Sequence, residues 1–149
     1  MRDLGTLGGN LSEALAINGA GVVAGRADFS PDSPYHHAVV WRNNSINDLG
    51  VVDPCQNSTG TSVNSAGDVV GGLGVCTDNP DDQNYFSAFF WHKGQPMVDL
   101  NTLVTPASGM HIEFATAIND RGEIVVDAYS ATGDIHVMLL VPTDENGVR

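Results

Sequence analysis

Apolar residues along this chain come in short runs of two to five, separated by segments rich in glycine and small polar residues. Such segments favour tight turns between short strands, and the spacing that marks an amphipathic helix is nearly absent. The longest runs are pentads at His37–Trp41, Ser87–Trp91 and Val137–Val141, which begin at positions 37, 87 and 137. The pattern therefore predicts an all-β chain built from an internal repeat.

Three shorter motifs recur around the pentads in a constant order: an Asp-Leu pair, an asparagine turn closed by glycine, and a pair of branched residues. They are Asp3-Leu4, Asp48-Leu49 and Asp99-Leu100; Asn18 to Gly21, Asn64 to Gly67 and Asn119 to Gly122; and Val22-Val23, Val69-Val70 and Ile124-Val125. Each copy is predicted to hold four strands, which we label a to d. In the first copy these are Ala14 to Asn18, Val22 to Gly25, the pentad, and Ile46 to Leu49.

Consecutive large apolar residues in strand c point to both faces of a sheet, so both faces are expected to be covered. The predicted fold is all-β, with three repeats of a four-stranded antiparallel meander arranged as propeller-like blades. A three-sheet β-prism is the alternative. One repeat domain spans 1–149, with copies at approximately 3–47, 48–98 and 99–142. The strand at residues 2–5 is expected to pair with Ile135 to Val141 and so complete the last copy.

Propellers usually have about four to eight blades, so three blades are too few for a comfortable closed ring. Exposed edge strands and an uncovered blade face would invite uncontrolled pairing, and a symmetric assembly removes both. We therefore expect a homo-oligomer in which a dimer completes a ring, or completion by further repeats of a longer parent chain.

The formal net charge is −12, from 18 acidic and 6 basic residues, which disfavours nucleic acid and anionic membranes as partners. No apolar stretch approaches the ~20 residues that cross a bilayer, so no membrane insertion is expected, and no hydrophobic signal core follows Met1. If the protein works outside the cytoplasm, a leader has been removed or the chain is a piece of a longer protein.

The first copy resembles the HAF-type bacterial extracellular repeat in the following residues: Asp3-Leu4-Gly5-Thr6-Leu7-Gly8-Gly9-Asn10, Ala14, Ala16-Ile17-Asn18, Gly21-Val22-Val23 and His37-Ala38. The segment that names the family, His-Ala-Phe, corresponds to His37-Ala38-Val39 and Ser87-Ala88-Phe89, and fades at Val137-Met138-Leu139. The resemblance implies an exported bacterial protein, extracellular or periplasmic, and brings no activity or catalytic residue with it.

Both cysteines, Cys55 and Cys76, fall in the second copy. In an up-and-down sheet the connector from d to a and the loop from b to c emerge at the same end, and these segments hold the two thiols. We therefore predict a disulfide between them, which favours an oxidising compartment.

The longest connectors emerge at that same end, and variable loops on a repeated scaffold are where binding usually resides. They carry carboxylates and aromatic rings, which together suit protein surfaces or sugars. The candidate ligand-binding residues are Asp28, Asp32, Tyr35, His36, Asp78, Asp81, Asp82 and Tyr85. No cofactor is predicted, although Asp78, Asp81 and Asp82 could offer oxygen ligands to Ca²⁺ without the spacing of a known calcium loop.

No set of residues forms a recognisable nucleophile and base. The neighbours His36 and His37 point to opposite faces of a strand, so they make a poor metal pair. The repeated Asp3, Asp48 and Asp99 favour a structural role in turns. The sequence therefore predicts a non-catalytic extracytoplasmic binding and assembly module for protein or glycan contact. The alternative is a carbohydrate-active propeller domain that binds or hydrolyses glycans.

Overall fold

The computed structural model describes residues 1–77, 86–104 and 109–143. Their strands form three antiparallel sheets, and a 3-10 helix at Leu100–Thr102 follows the second sheet. Sheet 1 contains β1 (Ser12–Ile17), β2 (Val23–Asp28), β3 (His36–Arg42) and β4 (Ser45–Gly50); sheet 2 contains β5 (Asn57–Val63), β6 (Val69–Gly74), β7 (Ser87–Trp91) and β8 (Val98–Asp99); sheet 3 contains β9 (His111–Ile118), β10 (Ile124–Tyr129) and β11 (Ile135–Leu140). Within the described ranges, no helix has the length and apolar character needed to cross a membrane.

Every sheet is an up-and-down meander in which strands adjacent in sequence pair with each other, as the repeat predicts. Sheets 1 and 2 contain all four predicted strands, a to d. Sheet 3 contains only three among the described residues, and β11 forms its outer edge. The pairing expected between residues 2–5 and this edge is not present within the chain, because the N-terminal segment lies against sheet 1 instead.

The three sheets pack face to face, with sheet 2 between the other two. A first core lies between sheets 1 and 2, where Val40 and Phe89 are buried in one cluster. A second core lies between sheets 2 and 3 and holds Val70 and Val126. Since sheet 2 is covered on both faces, its strand β6 is buried along its whole length.

The three sheets are stacked in the same orientation, so that equivalent residues lie on the same face of each sheet. Their strand registers show this. Trp41 pairs with Val23 and Trp91 pairs with Val69, and both tryptophans are buried. In sheet 3 the equivalent residue opposite Ile124 is Leu140, one position earlier than the Val141 of the predicted pentad alignment. We call the face with Trp41, Trp91 or Leu140 the front and the opposite face the back. The back of each sheet packs on the front of the next.

A β-bulge recurs in strand a of all three sheets. The register shifts between Ala14 and Ala16 in β1, between Gly60 and Ser62 in β5, and at the equivalent place in β9. A bulge adds twist to a strand and brings its backbone close to its neighbour. At Gly71 of β6, an added Cβ would lie 1.8 Å from the carbonyl oxygen of Thr59, so only glycine fits there.

Gly71→Ala is therefore expected to lower the free energy of unfolding by about 1–3 kcal/mol, because the alanine methyl group would displace the bulged strand. The matched control is Gly19→Ala, where nothing lies within 4 Å of the added Cβ. This control should change stability by less than about 1 kcal/mol. Chemical denaturation of both variants measures the difference, and equal stabilities would contradict the close approach of β5 to β6.

An asparagine ladder joins the three hairpin turns. The Asn18 side chain accepts hydrogen bonds within its own turn, from the N–H groups of Ala20 and Val22, and Asn64 accepts one from Asp68. The amide nitrogens of these side chains reach the following turn: Asn18 donates to the Asn64 carbonyl at 2.9 Å, and Asn64 donates to the Asn119 carbonyl at 3.2 Å. The repeated asparagines thus close their own turns, as predicted, and also connect neighbouring sheets.

The two ends of the stack differ in how they are covered. On the front of sheet 1, Trp41 is buried under the N-terminal segment, with Leu7 packed against it. On the back of sheet 3, Ile135, Val137 and Leu139 are 58%, 74% and 57% exposed. The expectation that both faces of every pentad are covered is therefore wrong for β11 among the described residues.

Candidate functional site

The disulfide between Cys55 and Cys76 lies at the end of the sheets where the long connectors emerge. It links the β4–β5 connector to the segment after β6, as the up-and-down topology predicts, and both residues are buried in the core between sheets 1 and 2. The cross-link therefore joins the residues just before β5 to those just after β6, close in sequence to Asn57, whose side chain accepts from the His36 N–H.

His36 is the first residue of β3 and is half-buried beside sheet 2. Its backbone N–H donates to the Asn57 side-chain oxygen at 2.9 Å, and its Nε2 lies 3.1 Å from the Thr59 hydroxyl. Burial lowers the pKa of His36 below its ordinary value of 6.5, and the nearby Arg26 lowers it further. The imidazole is therefore neutral near pH 7. In this form one ring nitrogen can donate a hydrogen bond and the other can accept one.

A small cleft of about 160 Å³ opens next to this histidine, and we call it the His36 cleft. The imidazole and the side chains of Asn57 and Thr59 supply its polar wall. Phe86 and Phe114 supply its apolar wall and remain 39% and 38% exposed. Two partly exposed rings beside neutral hydrogen-bonding groups can pack against a sugar ring or an apolar side chain while binding its polar groups.

Glycine makes this cleft possible where the Phe114 ring crosses β6. A Cβ added to Gly72 would lie 2.6 Å from an edge carbon of that ring. Because real Cβ atoms do not approach so closely, a larger residue at this position would push the ring away and change the shape of the cleft. The glycines of β6 thus leave room for the backbone of β5 and for the Phe114 ring.

The structure describes four of the eight predicted site residues. Asp28 is the last residue of β2 and lies directly opposite His36 in the register, so these two are brought together. Asp32 is exposed and Tyr35 is half-buried in the β2–β3 connector, and neither lines the His36 cleft. The remaining four, Asp78, Asp81, Asp82 and Tyr85, lie outside the described residues.

Sequence reasoning missed Asn57 and Thr59, which hold His36 in place. The signal was weak because both residues lie in a strand with little apolar character, and their contacts with β3 arise only when sheets 1 and 2 pack together. The prediction that His36 and His37 diverge is confirmed, since His37 Nδ1 instead lies 2.9 Å from an oxygen of Asp48.

A larger cleft of about 320 Å³ lies between sheets 1 and 2 at the opposite end of the strands. Arg42 and Lys93 line it together with Trp91. In the described ranges no group of three or more His, Cys, Asp or Glu side chains could hold a metal ion.

Comparison of the chain with protein-family models, with curated proteins and with solved structures found no match. The fold and the geometry of the His36 cleft are therefore the basis for the function proposed below.

Proposed function

We propose that this protein is a non-catalytic, extracytoplasmic β-repeat module that binds protein or glycan at its loop end and associates with further copies of itself. In this proposal its sheets act as propeller-like blades, and the protein is a bacterial one of the HAF-repeat type. The face-to-face packing of sheets with one polarity supports the blade arrangement. The disulfide supports an oxidising compartment, because such bonds are rare in the bacterial cytoplasm.

The observation that carries the binding proposal is the His36 cleft. Its polar wall is held by the ends of β3 and β5, so His36 and Thr59 are positioned before any ligand arrives. Its aromatic wall is Phe86 and Phe114, each more than a third exposed. Exposed rings contribute large contact area at low entropic cost, which makes them common anchors in recognition sites.

The volume and chemistry of the cleft favour part of an extended ligand over a whole small molecule. About 160 Å³ is smaller than the ~300 Å³ at which ordinary small-molecule pockets begin. It is large enough for one sugar ring or one side chain, and the adjoining Asp28 can accept hydrogen bonds from neighbouring hydroxyl or amide groups. An oligosaccharide or a protein segment would bind in this way.

The binding proposal is tested by screening the labelled protein on a glycan array and measuring the strongest hit by calorimetry. Phe86→Ala and His36→Ala are each expected to weaken binding about tenfold or more, since one removes a ring of the apolar wall and the other removes the imidazole of the polar wall. Arg42→Ala at the opposite cleft is the matched control and should leave affinity unchanged. Equal affinities for the Phe86, His36 and parent proteins would overturn the assignment of the site.

If no glycan on the array binds, a protein ligand is favoured. The same variants are then tested for binding to protein partners captured by cross-linking. Release of reducing sugar from a glycan that binds would contradict the non-catalytic part of the proposal. That outcome would favour the carbohydrate-active alternative.

A further inference from the structure

Three equivalent aspartates make the same local turn, but only two of them are part of a sheet. The side chains of Asp48 and Asp99 each accept a hydrogen bond at 2.8 Å from the N–H group two residues later. Asp3 does the same, accepting from Gly5 at 2.9 Å. The N-terminal segment therefore already has the turn that accompanies strand d in sheets 1 and 2.

In sheets 1 and 2 this aspartate also binds strand c. His37 Nδ1 lies 2.9 Å from an Asp48 oxygen, and the Ser87 hydroxyl donates to Asp99 at 2.7 Å. The leucine that follows each aspartate is buried, with exposed fractions of 7% for Leu49 and 2% for Leu100. A polar contact and a buried leucine thus attach strand d to strand c in both complete sheets.

The N-terminal segment lacks both of these attachments. Asp3 contacts only its own turn among the described residues, and Leu4 is 36% exposed. Its side chains instead face the front of sheet 1, where Arg2 donates to the Asn44 side chain and the Gly5 carbonyl accepts from Trp41 Nε1 at 3.3 Å. Farther along the segment, Gly9 donates to the Asp28 carbonyl at 3.0 Å. Sheet 3 lies beyond sheet 2 at the other side of the stack, so this anchor directs the segment away from its own β11.

The edge of sheet 3 has an unpaired strand where sheets 1 and 2 have strand d. β11 pairs with β10 on one side and with no described strand on the other. His136 is opposite Ala128, the same register position that His37 occupies opposite Ala27 and Ser87 occupies opposite Leu73. It is exposed and has no partner among the described side chains. Sheet 3 therefore presents the residue that would receive an aspartate of strand d.

We propose that residues 2–5 of a second copy of this chain add to the edge of β11 as a fourth strand beside the three described strands of sheet 3. By analogy with the pairing of Asp48 with Val39, Asp3 of that copy lies opposite Met138 and its carboxylate binds His136. Leu4 of that copy packs beside the exposed Val137. Reciprocal exchange between two copies gives a closed dimer and covers both edges.

This inference rests on the self-association in the proposed function and specifies how it occurs. A second copy is favoured over an unrelated strand because the turn, the leucine and the His136 partner all match positions within this chain. A contact between an aspartate carboxylate and a histidine ring also agrees with this pairing, since Asp48 and His37 make the same contact in sheet 1.

The test uses light scattering after gel filtration on the full chain and on two blocked variants. Leu4→Pro removes a backbone donor from the added strand, whereas Val137→Lys combined with Leu139→Lys places charge beside the receiving edge. The parent protein should have twice the mass of one chain, and each blocked variant alone should be a monomer. All three side chains are exposed, so we expect these substitutions to leave the monomer fold intact.

The decisive step is to mix the two blocked variants. The first retains a free edge and the second retains a free N-terminal strand, so together they should form a one-to-one dimer that neither forms alone. Ile17→Lys, at a residue 69% exposed in sheet 1, is the matched control and should dimerise as the parent does. A dimeric Leu4→Pro variant, or no complex in the mixture, would overturn strand addition.

The polar contact has its own test. His136→Ser introduces the residue that sheet 2 uses at this position and should preserve the dimer. His136→Asp should weaken dimerisation at least about tenfold by opposing Asp3, and adding Asp3→Asn should restore it. Equal dimer stability in all of these variants would overturn the pairing of Asp3 with His136.

Failure of this inference can be separated from failure of the proposed function. A parent protein that is monomeric at all concentrations overturns both strand addition and self-association. A dimer that persists in the Leu4→Pro variant leaves self-association standing and moves its site elsewhere. Ligand binding at the His36 cleft is measured on the monomeric variants and is independent of either result.

Discussion

Phe89→Ala is expected to lower the free energy of unfolding by about 3–5 kcal/mol, as measured by chemical denaturation. Phe89 is fully buried in the core between sheets 1 and 2, and it is the largest side chain with no exposed surface in the described chain. Its removal leaves a cavity that two packed sheets cannot close without separating from their other contacts. The loss should appear as a lower denaturation midpoint with an unchanged slope.

The matched control for this variant is Phe29→Ala. Phe29 is 38% exposed and contacts His37 with a distance of 4.9 Å between ring centroids. Its replacement should cost less than half as much as that of Phe89, because little apolar area leaves a closed core. If the two variants were equally stable, the packing of sheet 1 on sheet 2 would be contradicted.

Replacing both cysteines by alanine is expected to lower stability by about 3 kcal/mol in the chain-entropy account of disulfides. The bond closes a loop between residues 21 positions apart, so its loss enlarges the unfolded ensemble. For a domain of this size the melting temperature should fall by about 6–12 °C. Alanine is preferred to serine because Cys55 and Cys76 are buried, and a serine hydroxyl would be buried as well.

Reductant provides the control for this prediction. It should lower the melting temperature of the parent protein by the same amount and leave the double variant unaffected. A parent protein that is insensitive to reductant, and that reacts with a thiol reagent after denaturation without reduction, would show that the cross-link does not form.

The architecture was predictable where the physical requirements are local. The asparagine turn, the branched pair and the pentad each specify a strand or a hairpin within about ten residues, and β2, β3 and their equivalents follow that pattern. The bulge in strand a was not predictable, because it depends on the close approach of Gly71 to the backbone of Thr59. The shift of one residue at Leu140 was hidden by the uninterrupted apolar run around it.

The site was less predictable than the fold. Topology alone brought Cys55 and Cys76 together, since it determines which connectors share an end of a sheet. The predicted loop residues Asp32 and Tyr35 lie apart from the cleft, whereas His36 lines it. Contacts such as that between His36 and Thr59 depend on the relative position of two packed sheets. A periodic sequence pattern does not specify that position.

The asparagine ladder gives the chain a direction that matters for adding or removing units. A repeat inserted between sheets 1 and 2 would receive an amide hydrogen bond from the preceding turn and supply one to the following turn. A repeat appended after sheet 3 would meet Asn119, whose amide donates to Glu123 in its own turn. Asn64 likewise donates to Asp68 in its own turn while it donates to the Asn119 carbonyl, so one amide group serves both contacts. The second amide hydrogen of Asn119 therefore remains for an appended repeat, and duplication can lengthen the ladder at its C-terminal sheet by the same contact that joins sheets 2 and 3.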